Sequence, residues 1–169
     1  MLILVCGNIA VGKSTVARLI HNKIGGIILQ TNEIRNKWYP NPSYSEEEID
    51  HVYDLFFNEV KNSLKNKNVI LDATFSSSKN INRALDIAKS MSKKYFVIEV
   101  LGPSDEQIKQ RILERKEDIN KTDFNQYLKV KDSFEPIIEP KIVIHNRGKL
   151  QDLERQIAEL SFWKNHPFR

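Results

Sequence analysis

The sequence predicts an α/β protein in which helices cover both faces of one parallel sheet. Five short apolar segments, of the kind that form buried strands, alternate along the chain with segments of helical periodicity. A glycine-rich loop joins the first apolar segment to the first helix. Strands that alternate with helices favour a parallel sheet, because each connection has to cross back over the sheet before the next strand begins.

Length and composition indicate a single globular domain. The chain has 169 residues, of which 40% are hydrophobic and 28% charged, so we expect one domain over residues 1–169. Its lone cysteine cannot form an internal disulfide, and no apolar segment is long enough to span a membrane. We therefore expect a cytoplasmic protein without a membrane partner. The net charge of +4 permits a polyanionic partner without requiring one, and the oligomeric state stays open.

The first apolar segment leads into a motif with the spacing G-x-x-x-x-G-K-[ST], which cradles phosphate groups. Gly7 and Gly12 allow backbone conformations in which successive N–H groups point inward around an anion. The helix that follows directs its positive N-terminal end at the same point. Lys13 supplies a cation for the β- and γ-phosphates, and the hydroxyl of Ser14 suits Mg²⁺. The predicted nucleotide-binding loop consists of Gly7, Asn8, Ile9, Ala10, Val11, Gly12, Lys13, Ser14 and Thr15.

The second apolar segment, residues 27–29, runs into the polar sequence TNEIR. The tip of a strand is where α/β proteins place ligand-binding groups. A surface helix with Thr31 or Asn32 as its N-cap is an equally good interpretation of the same residues. A longer helix is predicted to begin at a capping box of Ser45 and Glu48, and its apolar stripe is expected to join the core.

The third apolar segment, residues 69–72, ends in an acid, Asp72. A carboxylate that an apolar strand delivers beside a phosphate-binding loop suits a ligand of Mg²⁺, either directly or through water. Without the neighbouring loop, Asp72 would be read only as the residue that ends a strand. The polar loop that follows, residues 73–78, is expected near the same phosphates.

A polar segment at residues 116–123 separates two predicted helices. Arg111 and Arg115 lie four residues apart, on one face of the first of these helices. Two helices joined by a polar loop and carrying arginines are typical of a lid that closes over a triphosphate, here at about residues 111–133. The alternative is an exposed charged hairpin, in which Glu114 and Glu117 pair with the arginines.

Taken together, these motifs resemble those of the P-loop kinases of the polynucleotide-kinase-like branch, which includes the zeta-toxin-like kinases and AAA-type ATP-binding domains. The resemblance covers residues 1–150 and rests on five segments, which are GNIAVGKST, TNEIR, VILDATF, QRILERK and IHNRG. It implies a three-layer αβα P-loop NTPase fold with a five-stranded parallel sheet and a helical lid. It also implies an ATP-dependent kinase that uses ATP and Mg²⁺.

The resemblance also assigns roles at the site of the nucleotide. Lys13, Arg111 and Arg115 would neutralise charge on the transferring phosphoryl group. Asn146 and Gly148 fall where many nucleotide-type kinases pass their backbone around adenine. The N-R-G turn is a weak indication of adenine, and the choice between ATP and GTP stays open.

On the acceptor side, the resemblance makes Arg35 a ligand of an acceptor phosphate. Asp72, with Thr74 beside it, would assist Mg²⁺ or the acceptor hydroxyl. Polynucleotide kinases of this type carry an aspartate as general base where this chain has Asn32, and an amide cannot accept the proton. Glu33 or Asp72 would then take the role of the base, or the transfer would depend on positioning and electrostatics alone. A third interpretation is a protein that binds and hydrolyses ATP without kinase activity.

The sequence thus predicts a kinase that transfers the γ-phosphoryl group of ATP to a hydroxyl of a nucleic-acid end, a nucleotide or a nucleoside. A small-metabolite kinase on the same fold is the first alternative. An ATP-binding switch or ATPase is the second, and it gains weight from Asn32. The partners expected are therefore ATP and a nucleotide or nucleic-acid acceptor.

Overall fold

The computed structural model describes residues 1–114 and 123–160, and within these residues five strands alternate with seven helices. The strands are β1 (Leu2–Cys6), β2 (Ile27–Gln30), β3 (Val69–Asp72), β4 (Tyr95–Leu101) and β5 (Lys141–His145). The helices are α1 (Lys13–Ile24), α2 (Thr31–Trp38), α3 (Glu46–Leu64), α4 (Ser78–Ser90), α5 (Asp105–Glu114), α6 (Phe124–Ser133) and α7 (Leu150–Glu159). The α/β class predicted from the sequence is confirmed.

The strands form one sheet in the order β2-β3-β1-β4-β5, and every neighbouring pair is parallel. β1 is the central strand, and all five of its residues are buried. Val5 lies opposite Asp72 of β3 on one side and Ile98 of β4 on the other. The carboxyl end of β1 is therefore the place where the strand order reverses, which is where open α/β sheets bind ligands.

Side chains alternate along β1 and enter two separate apolar cores, one on each face of the sheet. Leu2 and Leu4 pack on one face with residues of α3 and α4. Ile3 and Val5 pack on the other face with residues of α1, α5, α6 and α7. The protein thus has three layers, as the sequence predicts. Among the described residues, no helix is both long and apolar enough to cross a bilayer.

The capping box predicted at the start of α3 is formed on one side only. The Ser45 hydroxyl accepts a hydrogen bond from the Glu48 main-chain N–H at 3.2 Å, as predicted. The Ser45 N–H, however, donates to the Ser43 hydroxyl at 3.3 Å. The Glu48 carboxylate turns instead toward Ser43, Tyr44 and the buried side chain of Arg35.

The starts of α2 and α4 differ from the sequence patterns: α2 includes Thr31, and α4 includes Ser78, the last residue of the predicted polar loop. α2 begins at Thr31 directly after β2, so the prediction of Thr31 or Asn32 as its N-cap is wrong. Gln30 holds the N-cap position without a side-chain hydrogen bond. α4 begins at Ser78, where the main-chain N–H donates to the Glu135 carboxylate at 2.7 Å. This cap comes from a residue 57 positions further along the chain, which a local pattern cannot reveal.

The predicted lid is described only at its two ends. α5 forms its first part as far as Glu114, and α6 forms its second part from Phe124. Arg115 and the polar segment after it, up to residue 122, lie outside the described residues, as do residues 161–169.

We expect Tyr53→Phe to lower the free energy of unfolding by about 1–3 kcal/mol, because it leaves a buried main-chain N–H without its acceptor. The Tyr53 hydroxyl accepts a hydrogen bond from the Phe75 N–H at 3.3 Å, and both residues are buried. Urea unfolding measures the change. Tyr95→Phe, at a half-buried tyrosine, is the control and should stay within about 0.5 kcal/mol of wild type. Equal midpoints for all three proteins would contradict this role of Tyr53.

Candidate active site

The glycine-rich loop turns sharply out of β1 and into α1. Gly7, Ala10 and Gly12 have φ angles of +143°, +60° and +102°. A Cβ atom on Gly7 would lie 2.5 Å from the main-chain oxygen of Val100. A Cβ atom on Gly12 would collide with the side-chain amide of Asn146. Glycine is therefore required at both positions, by conformation and by the close approach of neighbouring atoms.

Neighbouring segments hold the loop in place. The Gly7 N–H donates to the main-chain oxygen of Thr74, after β3, at 3.2 Å. The Asn8 amide accepts from the Ile9 N–H at 2.7 Å and donates to the main-chain oxygen of Tyr127, in α6, at 3.4 Å. α1 then begins with Gly12 as an N-cap that supplies no side-chain acceptor. A helix N-terminus without its own cap is the usual arrangement for binding an anion.

Two cationic side chains donate hydrogen bonds to carbonyl groups of this loop. The Lys13 ammonium donates to the main-chain oxygen of Asn8 at 2.7 Å. The Arg111 guanidinium, from α5, donates to the main-chain oxygen of Ala10 at 3.4 Å. A phosphate group on the loop would therefore find positive charge from two different elements of the fold. Arg115, the other arginine predicted here, lies outside the described residues.

Asp72 lies at the carboxyl end of β3, with 6% of its surface exposed. Its register partners are Val5 of β1 and Gln30 of β2, so it stands beside the point where the glycine-rich loop leaves the sheet. Ser14, the other predicted Mg²⁺ ligand, is exposed in the first turn of α1. In the part of the chain that is described, no group of three His, Cys, Asp or Glu residues could hold a metal by itself. One hydroxyl and one carboxylate fit a Mg²⁺ ion that takes most of its ligands from phosphates and water.

The predicted acceptor residues Asn32 and Arg35 lie together on α2, and Arg35 is buried in a network of contacts. Its Nε donates to the Glu48 carboxylate at 2.9 Å, and its Nη1 donates to the Asn32 side-chain oxygen at 3.4 Å. Its guanidinium also lies 4.9 Å from the ring centroid of Tyr44. Sequence reasoning missed the partnership with Glu48, because that glutamate was assigned to a helix cap.

The environment of Glu48 favours its charged form. Burial alone would raise the pKa of this carboxyl group. Hydrogen bonds from the Ser43 hydroxyl and N–H, from the Tyr44 N–H and from Arg35 outweigh burial and hold the pKa below its usual value. The Arg35–Glu48 pair, with side chains 9% and 3% exposed, is therefore a buried ion pair that fixes α2 to the start of α3.

A cavity of about 280 Å³ adjoins the loop at the carboxyl end of β4. Its polar lining includes Glu99, Asp105, Tyr127 and Lys131, none of which sequence reasoning assigned to the site. Asp105 accepts hydrogen bonds from the Lys131 ammonium at 2.6 Å and the Tyr127 hydroxyl at 2.8 Å, and these hold its pKa below the usual value. Burial, together with Asp105, raises the pKa of Tyr127 to about 12. Glu99 pairs with Lys141 at 2.8 Å.

Asn146 and Gly148 follow β5 and lie against the same loop. The Asn146 side chain is buried and donates to the main-chain oxygen of Val11 at 2.8 Å. Gly148 lies near Arg111, whose Nη2 atom is 3.6 Å from the position that a Cβ on Gly148 would take. The structure thus brings the predicted nucleotide-binding residues of the loop, of α5 and of the turn after β5 to one edge of the sheet.

A family model described as an AAA domain matches residues 2–137 of the chain. The chain belongs to this AAA domain family. A comparison with curated proteins finds no match. The matched segment contains β1 to β4 and α1 to α6, so it covers the glycine-rich loop, Asp72 and Arg111, whereas Asn146 and Gly148 lie beyond it.

Solved structures similar to this AAA domain include named kinases. The gluconokinase from Sinorhizobium meliloti has 13% identity and a TM-score of 0.66, and the similarity covers 97% of each chain. The APS kinase of Mycobacterium tuberculosis, solved with AMPPNP and APS, has 12% identity and a TM-score of 0.67, over 94% of this chain and 95% of that one. Kti12 of Chaetomium thermophilum, in complex with ADP-AlF3, has 17% identity and a TM-score of 0.68, over 94% and 96%. At these identities the likeness establishes the fold, which is that of P-loop kinases.

We expect Glu48→Gln to destabilise the AAA domain by about 3–5 kcal/mol at pH 7, because it leaves the buried guanidinium of Arg35 without its counter-charge. The folded-state pKa of Glu48 is lowered, so its contribution is complete above the unfolded-state pKa of 4.5 and is lost as the pH falls through the folded-state pKa. The difference between wild type and variant should therefore shrink as the pH falls below about 4.5. Urea unfolding at several pH values measures it, and a difference that is independent of pH would contradict the assignment.

Proposed function

We propose that this AAA domain is an ATP-dependent kinase that transfers the γ-phosphoryl group of ATP to a hydroxyl group. The observation that carries the proposal is the glycine-rich loop at the end of the central strand, with Lys13 and Arg111 bound to its carbonyl oxygens. The loop, the helix N-terminus and the two cations together form a site for a polyphosphate. The kinases among the similar structures support the same reaction class.

In the proposed complex, the triphosphate lies on residues 7–15. Lys13 exchanges its bond to the Asn8 carbonyl for bonds to the β- and γ-phosphates, because a charged acceptor forms the stronger hydrogen bond. Ser14 and Asp72 are the residues that would hold Mg²⁺, which when bound supplies charge neutralisation and orients the phosphates. Arg111 contacts the loop at the Ala10 carbonyl, and Arg115 is proposed to join it from the lid.

The transfer forms a bond between the acceptor oxygen and the γ-phosphorus, and breaks the bond between that phosphorus and the bridging oxygen of ADP. Lys13 and Arg111 stabilise the charge that develops on the oxygens of the transferring phosphoryl group. The acceptor hydroxyl also loses a proton. Asn32 cannot accept it, and Glu33 is exposed on α2, whereas Asp72 is buried beside the loop. Because Asp72 is already proposed to hold Mg²⁺, we propose that the proton passes to water and that the transfer depends on positioning and electrostatics.

The acceptor predicted from the sequence is a nucleic-acid end, a nucleotide or a nucleoside, and the alternative is a small metabolite. The cavity of about 280 Å³ lies at the carboxyl end of β4, and none of the residues proposed for the acceptor lines it. Its carboxylates, Glu99 and Asp105, are each paired with a lysine of the protein. The names of the similar gluconokinase and APS kinase favour a small acceptor over a nucleic-acid end.

A nucleotide-dependent switch or ATPase is the second candidate, and one observation favours it. Arg35, proposed to bind an acceptor phosphate, is held by Glu48, and Asn32 beside it lacks a carboxylate. Such a protein would hydrolyse ATP slowly and give no phosphorylated product with any acceptor.

We expect Lys13→Ala to reduce turnover by about 10³-fold or more while the protein stays folded, since removing one cation from a phosphoryl-transfer site has effects of this size. Release of ADP from ATP in the presence of acceptor measures the loss. Lys23→Ala, an exposed position on the same helix, is the matched control and should keep wild-type turnover. Near wild-type activity of Lys13→Ala would refute the site.

The acceptor class is tested with γ-labelled ATP and a pool of sugars, other small metabolites, nucleosides, nucleotides and 5′-hydroxyl oligonucleotides. We expect the label on a small molecule, with an affinity for this acceptor that changes little between 50 and 200 mM salt. An oligonucleotide acceptor would instead lose affinity steeply over about this range, because its phosphate contacts release counterions. Label transferred only to oligonucleotides would contradict a small acceptor. Release of free phosphate alone would favour the switch or ATPase.

A further inference from the structure

Asn146 is a buried polar residue at the end of β5, with 7% of its surface exposed. It lies beyond residues 2–137, the part of the chain that the AAA domain model matches. The resemblance to P-loop kinases implies that this turn passes around adenine. The contacts of Asn146 in the structure point to a different role, since its side chain faces the phosphate-binding loop.

Three hydrogen bonds fix Asn146 in one orientation. Its main-chain N–H donates to the Leu101 oxygen at 2.8 Å, which ties the residue to the end of β4. Its side-chain nitrogen donates to the Val11 main-chain oxygen at 2.8 Å. Its side-chain oxygen accepts from the Gly148 N–H at 3.0 Å. Because a carbonyl oxygen only accepts and an N–H only donates, a neutral amide is the group that satisfies both side-chain partners.

The same amide nitrogen also lies against the next residue of the loop. A Cβ atom on Gly12 would collide with it, so the absence of a side chain at Gly12 allows the amide to reach Val11. Gly12 is the N-cap of α1 and adopts a φ angle of +102°. Asn146 therefore contacts both residues of the Val11–Gly12 peptide unit.

The geometry of the peptide unit links this contact to phosphate binding. In a trans peptide, the C=O of one residue and the N–H of the next point in opposite directions. The structure contains no cis peptide bond in its described residues. When Asn146 holds the Val11 carbonyl toward itself, it aims the Gly12 N–H to the opposite side, away from β5.

We propose that Asn146 is a positioning residue for the phosphate-binding loop, which orients the Gly12 N–H toward the phosphates of the bound nucleotide. The inference rests on the proposed function, because it needs a nucleotide on the loop. Asn146 acts on the polyphosphate through the Val11–Gly12 peptide and does not act on the base.

The test compares wild type with Asn146→Ala, Asn146→Asp and Arg147→Ala. Asn146→Ala removes the amide without adding charge. Asn146→Asp keeps the shape and the acceptor for Gly148 but places a carboxylate against the Val11 carbonyl. Arg147 is exposed, and its replacement by alanine changes the net charge by the same amount as Asn146→Asp, so it is the control for charge. Thermal unfolding without ligand verifies that each variant is folded, and the isosteric Asn146→Asp serves if Asn146→Ala does not fold.

Isothermal titration calorimetry measures the affinity of each protein for ATP and for inorganic tripolyphosphate. We expect both Asn146 variants to bind the two ligands about 10-fold more weakly or worse, by the same factor for each ligand, as loss of a buried hydrogen bond implies. Arg147→Ala should bind both ligands like wild type. The KM for ATP should rise in parallel with the dissociation constant.

Other outcomes overturn the inference in distinguishable ways. A loss for ATP without a loss for tripolyphosphate would place Asn146 at the base. A loss in Asn146→Asp but not in a folded Asn146→Ala would show an effect of charge alone, and unchanged affinities would show no role. If wild type binds ATP but not tripolyphosphate, positioning of the phosphates fails while the proposed function stands. If wild type binds neither ligand, the proposed function fails as well.

Discussion

The conformation of residues 7–12 depends on hydrogen bonds from the segments that follow β3 and β5. The φ angles at Gly7, Ala10 and Gly12 are ones that few residues adopt. Such a segment persists only where its surroundings determine it. Here the segment after β3 binds Gly7 through Thr74, and the turn after β5 binds Val11 through Asn146. The sheet therefore fixes the loop before any ligand arrives, which reduces the reorganisation that binding requires.

The same loop also holds the two cationic side chains of the site. Lys13 and Arg111 bind main-chain oxygens of Asn8 and Ala10, which are neutral acceptors. Because the donors are charged, each of these bonds contributes about 1.5–3 kcal/mol net, and a phosphate oxygen, which adds an opposite charge, is the stronger acceptor. The carbonyl groups thus hold the cations close to the place of the phosphates without competing strongly for them. A rigid loop and exchangeable cations together would allow one short segment to serve both steps of the proposed reaction, nucleotide binding and phosphoryl transfer.

Features that depend on residues close together in the sequence could be predicted, whereas contacts between residues far apart in the sequence could not. The strand, loop and helix around residues 7–15 were predicted correctly as structure, because glycine spacing and apolar periodicity act over a few residues. The bond from Glu135 to the start of α4 and the bond from Asn146 to Val11 join residues 57 and 135 positions apart. Glu48 is a further example. Its spacing from Ser45 predicts that its carboxylate caps the helix, whereas in the structure this carboxylate forms an ion pair with Arg35. Residue type indicated what each group can do, and only the fold determined its partner.

The distribution of charge bears on the choice of acceptor. Lys13 and Arg111 place two cationic side chains on the nucleotide side of the site. On the proposed acceptor side, Arg35 is neutralised by Glu48, and Asn32 beside it is neutral. Arg35 already has a buried counter-charge in Glu48, so an acceptor that carries phosphates would compete with this carboxylate for the guanidinium. A neutral polar acceptor would not compete with Glu48, and this difference favours it over a phosphorylated one.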